Sequence, residues 1–200
     1  MARGRAAGYD EQREQILLRA AALFAQSGYA ATSMNQVAEA SGLSKATLYH
    51  YYRDKYSLLV SIAEGHVAKL GALVADVLAQ DLAPELRLRT LIRRIVEAYA
   101  GAQHAHRVLT EDVRFLEPTD RNRILDQERV VVRGFAQAVA GLRPELAQAQ
   151  LATPMTMLLF GMINWMFTWL QPGGALDYDT LAPMVADLFL GGLPAVQPQV

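Results

Sequence analysis

The sequence contains no cysteine, so disulfide-stabilised scaffolds, thiolate zinc sites and catalysis by a cysteine nucleophile are all excluded. It also lacks the apolar N-terminal stretch that a secretory signal requires. Both absences are typical of a reducing cytoplasm, and we expect a cytoplasmic protein. The rest of the composition is that of a globular protein, because 52% of the 200 residues are hydrophobic and 20% are charged.

Signatures of common enzymes are missing as well. No glycine-rich phosphate loop follows a strand pattern, and neither a nucleophile elbow nor a set of metal ligands is present. His104 and His106 are two residues apart, so on a helix they face different directions and cannot share a metal; we expect both to be exposed near a helix end. The sequence therefore predicts a protein that is not an enzyme and that holds neither a metal nor a cofactor.

Charge is absent from residues 151–170, a stretch long enough to span a bilayer. Yet Pro154, Asn164 and three threonines interrupt its apolar character, and no cluster of Lys or Arg flanks it. We interpret this stretch as a buried helix of a protein that does not associate with membranes.

Apolar residues recur at helical spacing along almost the whole chain, and strict alternation is not seen. The pattern predicts an all-α protein with about nine helices. We expect a flexible arm at residues 1–9, whose Arg3 and Arg5 either enter a DNA minor groove or form a solvated tail. The first helix is expected from Asp10 to about Ser27.

Three caps follow in quick succession. Ser33 and Gln36 form a capping box for a short second helix, which stops at Gly42. Ser44 caps a third short helix, and Asp54 caps a long fourth one. Two short helices joined by a turn that contains glycine predict a helix-turn-helix.

The third helix carries more aromatic residues than one buried face can hold. Leu48 and Tyr52 are four residues apart and face the small core, together with Val37. The remaining side chains form an outward row that contains no carboxylate: Lys45, Thr47, Tyr49, His50 and Tyr51. Lys, hydroxyls and ring edges are the groups that contact phosphates and base edges in a major groove, so this row predicts double-stranded DNA binding. Lys55, in the first turn of the fourth helix, is predicted to contact a second phosphate.

The segment Thr32–Leu59, "TSMNQVAEASGLSKATLYHYYRDKYSLL", resembles the DNA-binding segment of the TetR family of transcriptional regulators. The resemblance implies a three-helix DNA-binding domain at residues 10–58 and a helical ligand-binding and dimerisation domain at residues 59–200. It also implies a set of DNA contacts: Ser33, Ser44, Lys45, Thr47, Tyr49, His50, Tyr51 and Lys55. Tyr52 stands where phenylalanine is usual in the family, so its hydroxyl needs a partner.

Prolines and glycines divide the second domain into further helices. We expect helices from Pro84 to about Ala105, from about Arg107 to Leu116, and from Pro118 to about Gly141. Another is expected to start at Pro144 and to continue through the uncharged stretch with a kink at Pro154. The last helix is expected to start near Asp179, which would place Pro183 in its first turn.

One short recognition helix reads only a few base pairs, so useful affinity requires two copies on a near-palindrome. The resemblance implies a homodimer in which the last two helices of each copy form a four-helix bundle. The residues predicted for this contact are Leu158, Phe160, Leu181, Met184, Val185, Leu188 and Phe189.

Methionines and aromatic residues in the second domain are suited to an adaptable apolar pocket. The predicted ligand-binding residues are Tyr99, Phe115, Met162, Trp165, Met166, Trp169 and Arg121. The segment 160–193 is similar to the C-terminal end of TetR-type regulators that respond to acyl-CoA thioesters, including those of fatty-acid and phenylacetate catabolism. Arg114, Arg121, Arg123 and Arg129 then either hold the CoA phosphates or pair with nearby carboxylates on the surface.

The sequence thus predicts a homodimeric repressor that binds a palindromic operator and is released by a small hydrophobic ligand, such as an acyl-CoA or aryl-acyl-CoA thioester. One alternative is a TetR-type regulator of an efflux pump that responds to hydrophobic drugs, and another is a helical interaction protein without DNA affinity. The sequence leaves open the ligand, the operator, the regulated genes, and whether the ligand releases or promotes DNA binding.

Overall fold

Helices make up nearly all of the chain. The structure is a computed structural model that describes the backbone of residues 3–170 and 176–197, and the side chains from Gly8 onward except Phe167. Within these ranges the chain contains no strand, and its helices are α1 (Arg3–Ser27), α2 (Met34–Ala40), α3 (Lys45–Tyr51), α4 (Lys55–Leu78), α5 (Pro84–Gly101), α6 (Gln103–Glu111), α7 (Pro118–Leu142), α8 (Pro144–Gln148), α9 (Ala152–Trp169) and α10 (Tyr178–Gly192). Short 3-10 turns lie at Val113–Phe115 and Leu193–Ala195. The predicted all-α class is confirmed.

The chain forms two compact units. The first unit comprises residues 1–67 and 102–124, and the second comprises residues 68–101 and 125–200. The predicted boundary after residue 58 falls inside α4, where a continuous helix offers no linker. The segment 102–124 belongs to the first unit because α6 packs against α1.

The first helix begins earlier than predicted, because α1 starts at Arg3 rather than at Asp10 and so includes residues 3–9, which are predicted to form an arm. Residues 3–14 contain no proline, and the alanine, arginine, glutamate and glutamine among them are good helix formers. The side chains of Arg3 and Arg5 lie outside the described residues.

Two helices predicted to be continuous are each divided in the structure. The helix from Pro84 ends at Gly101, and α6 starts only two residues later. The helix from Pro144 ends at Gln148 because Gln150 adopts a φ of 57°, and the amide of Leu151 then donates to the carbonyl of Leu146 at 2.7 Å. This is the bonding of a Schellman-type helix end.

The two prolines of the C-terminal helices lie at positions that differ from the prediction. Pro154 is in the first turn of α9, where its missing N–H has no intrahelical partner to lose, so no kink is needed. Pro183 is inside α10, because that helix starts at Tyr178 with Asp177 as its cap. The amide of Thr180 donates to Asp177 Oδ1 at 2.8 Å. The cap therefore fixes the start of α10 more strongly than the proline does.

The core of each unit is apolar and closely packed. In the second unit α10 packs against α5 and α9, and the rings of Phe135 and Phe160 lie 5.0 Å apart, edge to face. Gly134 of α7 lies so close to α4 that a methyl group there would overlap Val74 Cγ1. In the first unit His106 is buried against His66, with 3.4 Å between Nδ1 and Nε2. The expectation that His106 is exposed is therefore wrong.

Among the described helices, α4 is long and apolar enough to cross a membrane by length and composition. Its apolar side chains, including Leu58, Leu59 and Ile62, are buried within the protein. A core helix of this kind passes the same test, so the composition of α4 is accounted for by packing.

Candidate nucleic-acid interface

Two capped helices and a glycine turn set the geometry of the predicted recognition module. Ser33 Oγ accepts from the Gln36 amide at 3.3 Å, and Gln36 Oε1 accepts from the Ser33 amide at 2.8 Å, which completes the predicted capping box. Ser44 Oγ accepts from the Thr47 amide at 3.1 Å and caps α3. Gly42 adopts a φ of 65°, which favours glycine, and the chain reverses there between α2 and α3. Because these signals are local, the sequence predicted them correctly.

The side chains of α3 separate into an inner and an outer set. Leu48 is fully buried and Tyr52, which follows the helix, is nearly so, as the helical spacing predicts. Lys45, Tyr49 and His50 are exposed, and no carboxylate lies on α3. An open groove of about 500 Å³ runs beside this outer row. Its lining residues are Ala30, Ala31, Thr32, Ser33, Met34, Asn35, Lys45, Tyr49 and Lys55.

Tyr51 is half-buried because its ring stacks on Tyr9 of α1, with centroids 4.8 Å apart. The Tyr52 hydroxyl accepts from Arg13 Nε at 3.2 Å, and the Arg13 guanidinium lies 5.3 Å from the centre of the Tyr52 ring. Arg13 is therefore the partner that the extra hydroxyl of Tyr52 requires. Burial raises the pKa of Tyr52, and the bond from Arg13 opposes that shift. These contacts join α1 to the end of the recognition helix.

Lys55, which is predicted to contact a DNA phosphate, forms hydrogen bonds to the loop before α2. Its ammonium donates to the carbonyl oxygens of Tyr29, Ala30 and Thr32, at 2.7, 3.1 and 2.7 Å. It also lies 4.5 Å from the centre of the Tyr29 ring. All three N–H donors of the ammonium therefore have partners within the protein, and a DNA phosphate would have to replace one of them. Spacing along the helix does not indicate this, because the acceptors belong to a distant loop.

Sequence reasoning also missed a tether between the start of α4 and the start of α7. The Tyr56 hydroxyl donates to Asp120 Oδ2 at 2.7 Å and accepts from the Glu117 amide at 2.9 Å. Arg123 pairs with Asp120 and with Glu64 of α4. We refer to these five residues as the α4–α7 tether. It lies entirely within the first unit and holds the start of α4 to the start of α7.

The predicted ligand-binding residues fall into two groups that lie in different units. Tyr99 and Met166 are buried in the second unit and Met162 is half-buried there, whereas Phe115 and Arg121 belong to the first unit and are exposed. The rings of Phe115 and Tyr29 lie 5.3 Å apart.

Trp165 and Trp169, also predicted to bind ligand, are on the surface of α9 instead. Their exposed fractions are 67% and 49%. Because the two rings lie on the outer face of a helix in the single chain, ligand contact by them stays a prediction that this structure does not support.

Most of the arginines proposed for CoA phosphates already have partners. Arg123 belongs to the α4–α7 tether, Arg129 pairs with Asp126 at 2.6 Å, and Arg114 lies over the ring of Phe115. Within the described part of the chain, Arg121 has neither an ion pair nor a hydrogen bond from its side chain.

The predicted dimer contact requires a correction of the same kind. Phe160, Leu181, Val185 and Phe189 are buried within their own unit and offer little surface to a partner. The large apolar residues that do form the outer faces of α9 and α10 are Met157, Leu158, Trp165, Trp169, Met184 and Leu188. We refer to this set as the α9–α10 face. The whole of α9 is so apolar that its sequence does not reveal which side faces the core.

Comparison with known proteins places both parts of the chain in one group of regulators. Residues 16–62 match the family described as bacterial regulatory proteins, tetR family, and residues 81–193 match the tetracyclin repressor-like C-terminal domain. The repressor KstR2 of Rhodococcus jostii is 25% identical over 189 residues, which cover 93% of each chain.

Solved structures extend the match to the whole fold. A TetR-family regulator from Bordetella parapertussis is 34% identical, with a TM-score of 0.85 over 94% of this chain and 98% of that one. The regulator AibR, solved with isovaleryl coenzyme A and operator DNA, is 25% identical, with a TM-score of 0.75 over 88% of this chain and 97% of AibR.

Proposed function

The chain belongs to the tetR family of bacterial regulatory proteins, the DNA-binding transcriptional regulators, and we propose that it is a cytoplasmic, homodimeric repressor released from a palindromic operator by a small hydrophobic effector. One observation carries the DNA-binding part of this proposal. Lys45, Tyr49 and His50 stand exposed on a short helix that is capped at its start and that carries no carboxylate.

We assign the outer row of α3 to the major groove. Lys45 supplies a positive charge to a phosphate or to guanine, and Tyr49 and His50 present ring edges and polar atoms to base edges. Tyr51 offers its hydroxyl at the border of the groove, since Tyr9 covers its ring face.

The hydroxyl residues act at the helix ends in this arrangement. Ser33, Ser44 and Thr47 orient the starts of α2 and α3, and their exposed oxygens contact the DNA backbone there. Free amides and the helix dipole at such ends favour phosphate.

The homodimer is proposed because a single short helix reads too few base pairs, and because the α9–α10 face is unusually apolar. Trp165 and Leu188 are 67% and 68% exposed in the single chain. Isolated apolar residues are common on protein surfaces, but six large ones on two helices that pack together, with two tryptophans among them, are typical of an interface. We therefore assign this face to the contact between the two copies.

The effector is proposed to bind in the second unit, where Tyr99, Met162 and Met166 line the interior. AibR, which was solved with an acyl-CoA and operator DNA, supports a thioester as the class of ligand. In some conformations of the dimer, the spacing of the two recognition helices does not fit the operator. An effector that binds such a conformation more tightly shifts the population away from DNA.

Selection of DNA from a random library by the purified protein, followed by sequencing, tests the proposal. The bound pool should be enriched in an inverted repeat whose half-sites are separated by one helical turn or a multiple of it. Enrichment of a single half-site would contradict the homodimer, and the absence of any enrichment would contradict sequence-specific DNA binding.

A further inference from the structure

The interior of the second unit contains a carboxylate where the helical pattern calls for an apolar residue. Buried positions of α7 include Ile124, Val131 and Phe135, and Glu128 lies on the same stripe, four residues after Ile124 and three before Val131. Glu128 is accordingly half-buried. An acidic side chain at such a position costs stability unless a cation or hydrogen-bond donors compensate for the lost water.

No such compensation is present among the residues that the structure describes. The carboxylate of Glu128 forms no ion pair and accepts no hydrogen bond there, and burial alone raises its pKa. Its neighbour Gln127 shows the same pattern, because its Oε1 atom is buried and accepts no hydrogen bond within the described chain. Two acceptor groups on one turn of α7 therefore lack donors.

Polar groups from two other helices lie in the same interior. Tyr99 of α5 is buried, and its hydroxyl donates to Asn164 Oδ1 of α9 at 3.0 Å. Burial, and secondarily the charge of Glu128, raises the pKa of Tyr99. Asn164 lies four residues after the buried Phe160. Side chains from α5, α7 and α9 thus bring polar groups into one apolar unit, where the carboxylate of Glu128 and the Oε1 atom of Gln127 accept no hydrogen bond from the described residues.

We infer that Glu128, Gln127, Tyr99 and Asn164 form the polar end of the effector site, and that the effector is an apolar molecule with a hydroxyl or another hydrogen-bond donor that reaches Glu128. This inference rests on the proposed function, which makes the second unit the effector-binding unit, and it adds the chemistry that selects the effector. A bound donor satisfies the carboxylate, so the cost of its burial in the free protein is recovered when the ligand binds.

The free protein provides the first test. Glu128→Leu should raise the melting temperature by about 2 °C or more, because it replaces an uncompensated carboxylate with an apolar side chain on an apolar stripe. Asp126→Leu on the exposed side of α7 is the matched control and should leave the melting temperature nearly unchanged. A lower melting temperature for Glu128→Leu would show that the carboxylate stabilises the fold, and would overturn the inference.

The second test compares closely related probes with and without a hydroxyl donor. The probes are 3-hydroxydodecanoyl-CoA against dodecanoyl-CoA, and 1-dodecanol against dodecyl methyl ether, with affinities measured by calorimetry below any micelle-forming concentration. In each pair that binds, the hydroxyl compound should bind at least about ten-fold more tightly. Glu128→Leu should abolish this preference, whereas Glu128→Gln, which keeps an acceptor oxygen, should retain part of it.

The outcomes separate this inference from the proposed function. Thioesters that bind without any preference for the hydroxyl would overturn the inference and leave the thioester proposal intact. A preference seen with the alcohol alone, without thioester binding, would support the inference and contradict the thioester proposal. Failure of both hydroxyl compounds to bind the parent protein would overturn the inference.

Discussion

Lys45 and Lys55 carry the same charge in the same module, yet their ammonium groups have different surroundings. Lys45 projects from α3 into the open groove, whereas Lys55 donates to three carbonyl oxygens of the loop before α2. Both positions match a family motif, so the sequence alone assigned both to DNA. The difference depends on the path of a distant loop, which spacing along a helix does not reveal.

Substitution of these two lysines should have opposite consequences. Lys55→Ala should lower the free energy of unfolding by about 1–3 kcal/mol, because it removes charge-assisted bonds that hold the loop. Lys45→Ala should leave that free energy within about 0.5 kcal/mol and should weaken DNA binding. Urea unfolding and DNA titration of both variants check this, and equal stability of the two variants would contradict the role of Lys55.

His106 should make the protein sensitive to mild acid. Burial, and secondarily the neighbouring His66, lowers the pKa of His106 to about 3, whereas an unfolded histidine titrates near 6.5. As the pH falls below about 6.5, the unfolded chain therefore takes up a proton at this histidine, whereas the folded chain does not. The contribution of His106 to the free energy of unfolding is thus fully present above that pH and is lost progressively down to about pH 3. The loss is about 1.4 kcal/mol per pH unit within this window.

Urea unfolding at pH 7.5, 6.0 and 5.0 measures this effect. His106→Leu should lose less stability between pH 7.5 and 5.0 than the parent, and His104→Leu, at the exposed neighbouring histidine, should behave like the parent. Equal acid sensitivity of the parent and His106→Leu would contradict the assignment.

Among the structural elements, the sequence predicts helix caps and turns well, because these depend on residues that are close together in the chain. The caps at Ser33, Ser44 and Asp54 and the turn at Gly42 are all found where the sequence indicates them. Each depends on a hydrogen bond between residues only a few positions apart, so one short segment of the sequence contains both bonding partners.

The elements that differ from the prediction depend on partners that lie farther away or on weak patterns. α8 ends where it does because Gln150, two residues beyond it, adopts a positive φ. A glutamine in the sequence does not indicate that conformation. The outer side of α9 cannot be identified from a helix that is apolar on nearly every side. The α4–α7 tether joins Tyr56 to Asp120, residues that only the folded chain brings together.

The α4–α7 tether should contribute measurably to the stability of the first unit. Tyr56→Phe removes the hydroxyl that bonds to Asp120 and to the Glu117 amide, so the free energy of unfolding should fall by about 1–3 kcal/mol. Hydrogen exchange should also become faster at the start of α7. The control Tyr49→Phe removes an exposed hydroxyl and should change neither the free energy of unfolding nor the exchange rate. A Tyr56→Phe variant with the stability and the exchange rate of the parent would contradict the role of the tether.

At the scale of the whole molecule, we propose that the α9–α10 face joins two copies of the chain and so brings two recognition helices together. Leu188→Arg places a charge in the middle of this face and should convert the dimer to a monomer with unchanged helix content. Leu86→Arg, at an exposed leucine of α5, is the matched control and should remain dimeric. Light scattering on the purified variants measures the mass, and a dimeric Leu188→Arg would contradict the assigned face.

We propose that the outer row of α3 binds DNA, and a fluorescence anisotropy titration with the DNA selected by the parent protein measures its contribution. The Lys45→Ala/Tyr49→Ala double variant should bind at least about 100-fold more weakly than the parent, since it loses both a phosphate contact and a base contact. Arg133→Ala, which removes an exposed positive charge from α7, should bind like the parent. Parent-like affinity of the double variant, at unchanged folding and dimerisation, would contradict the claim.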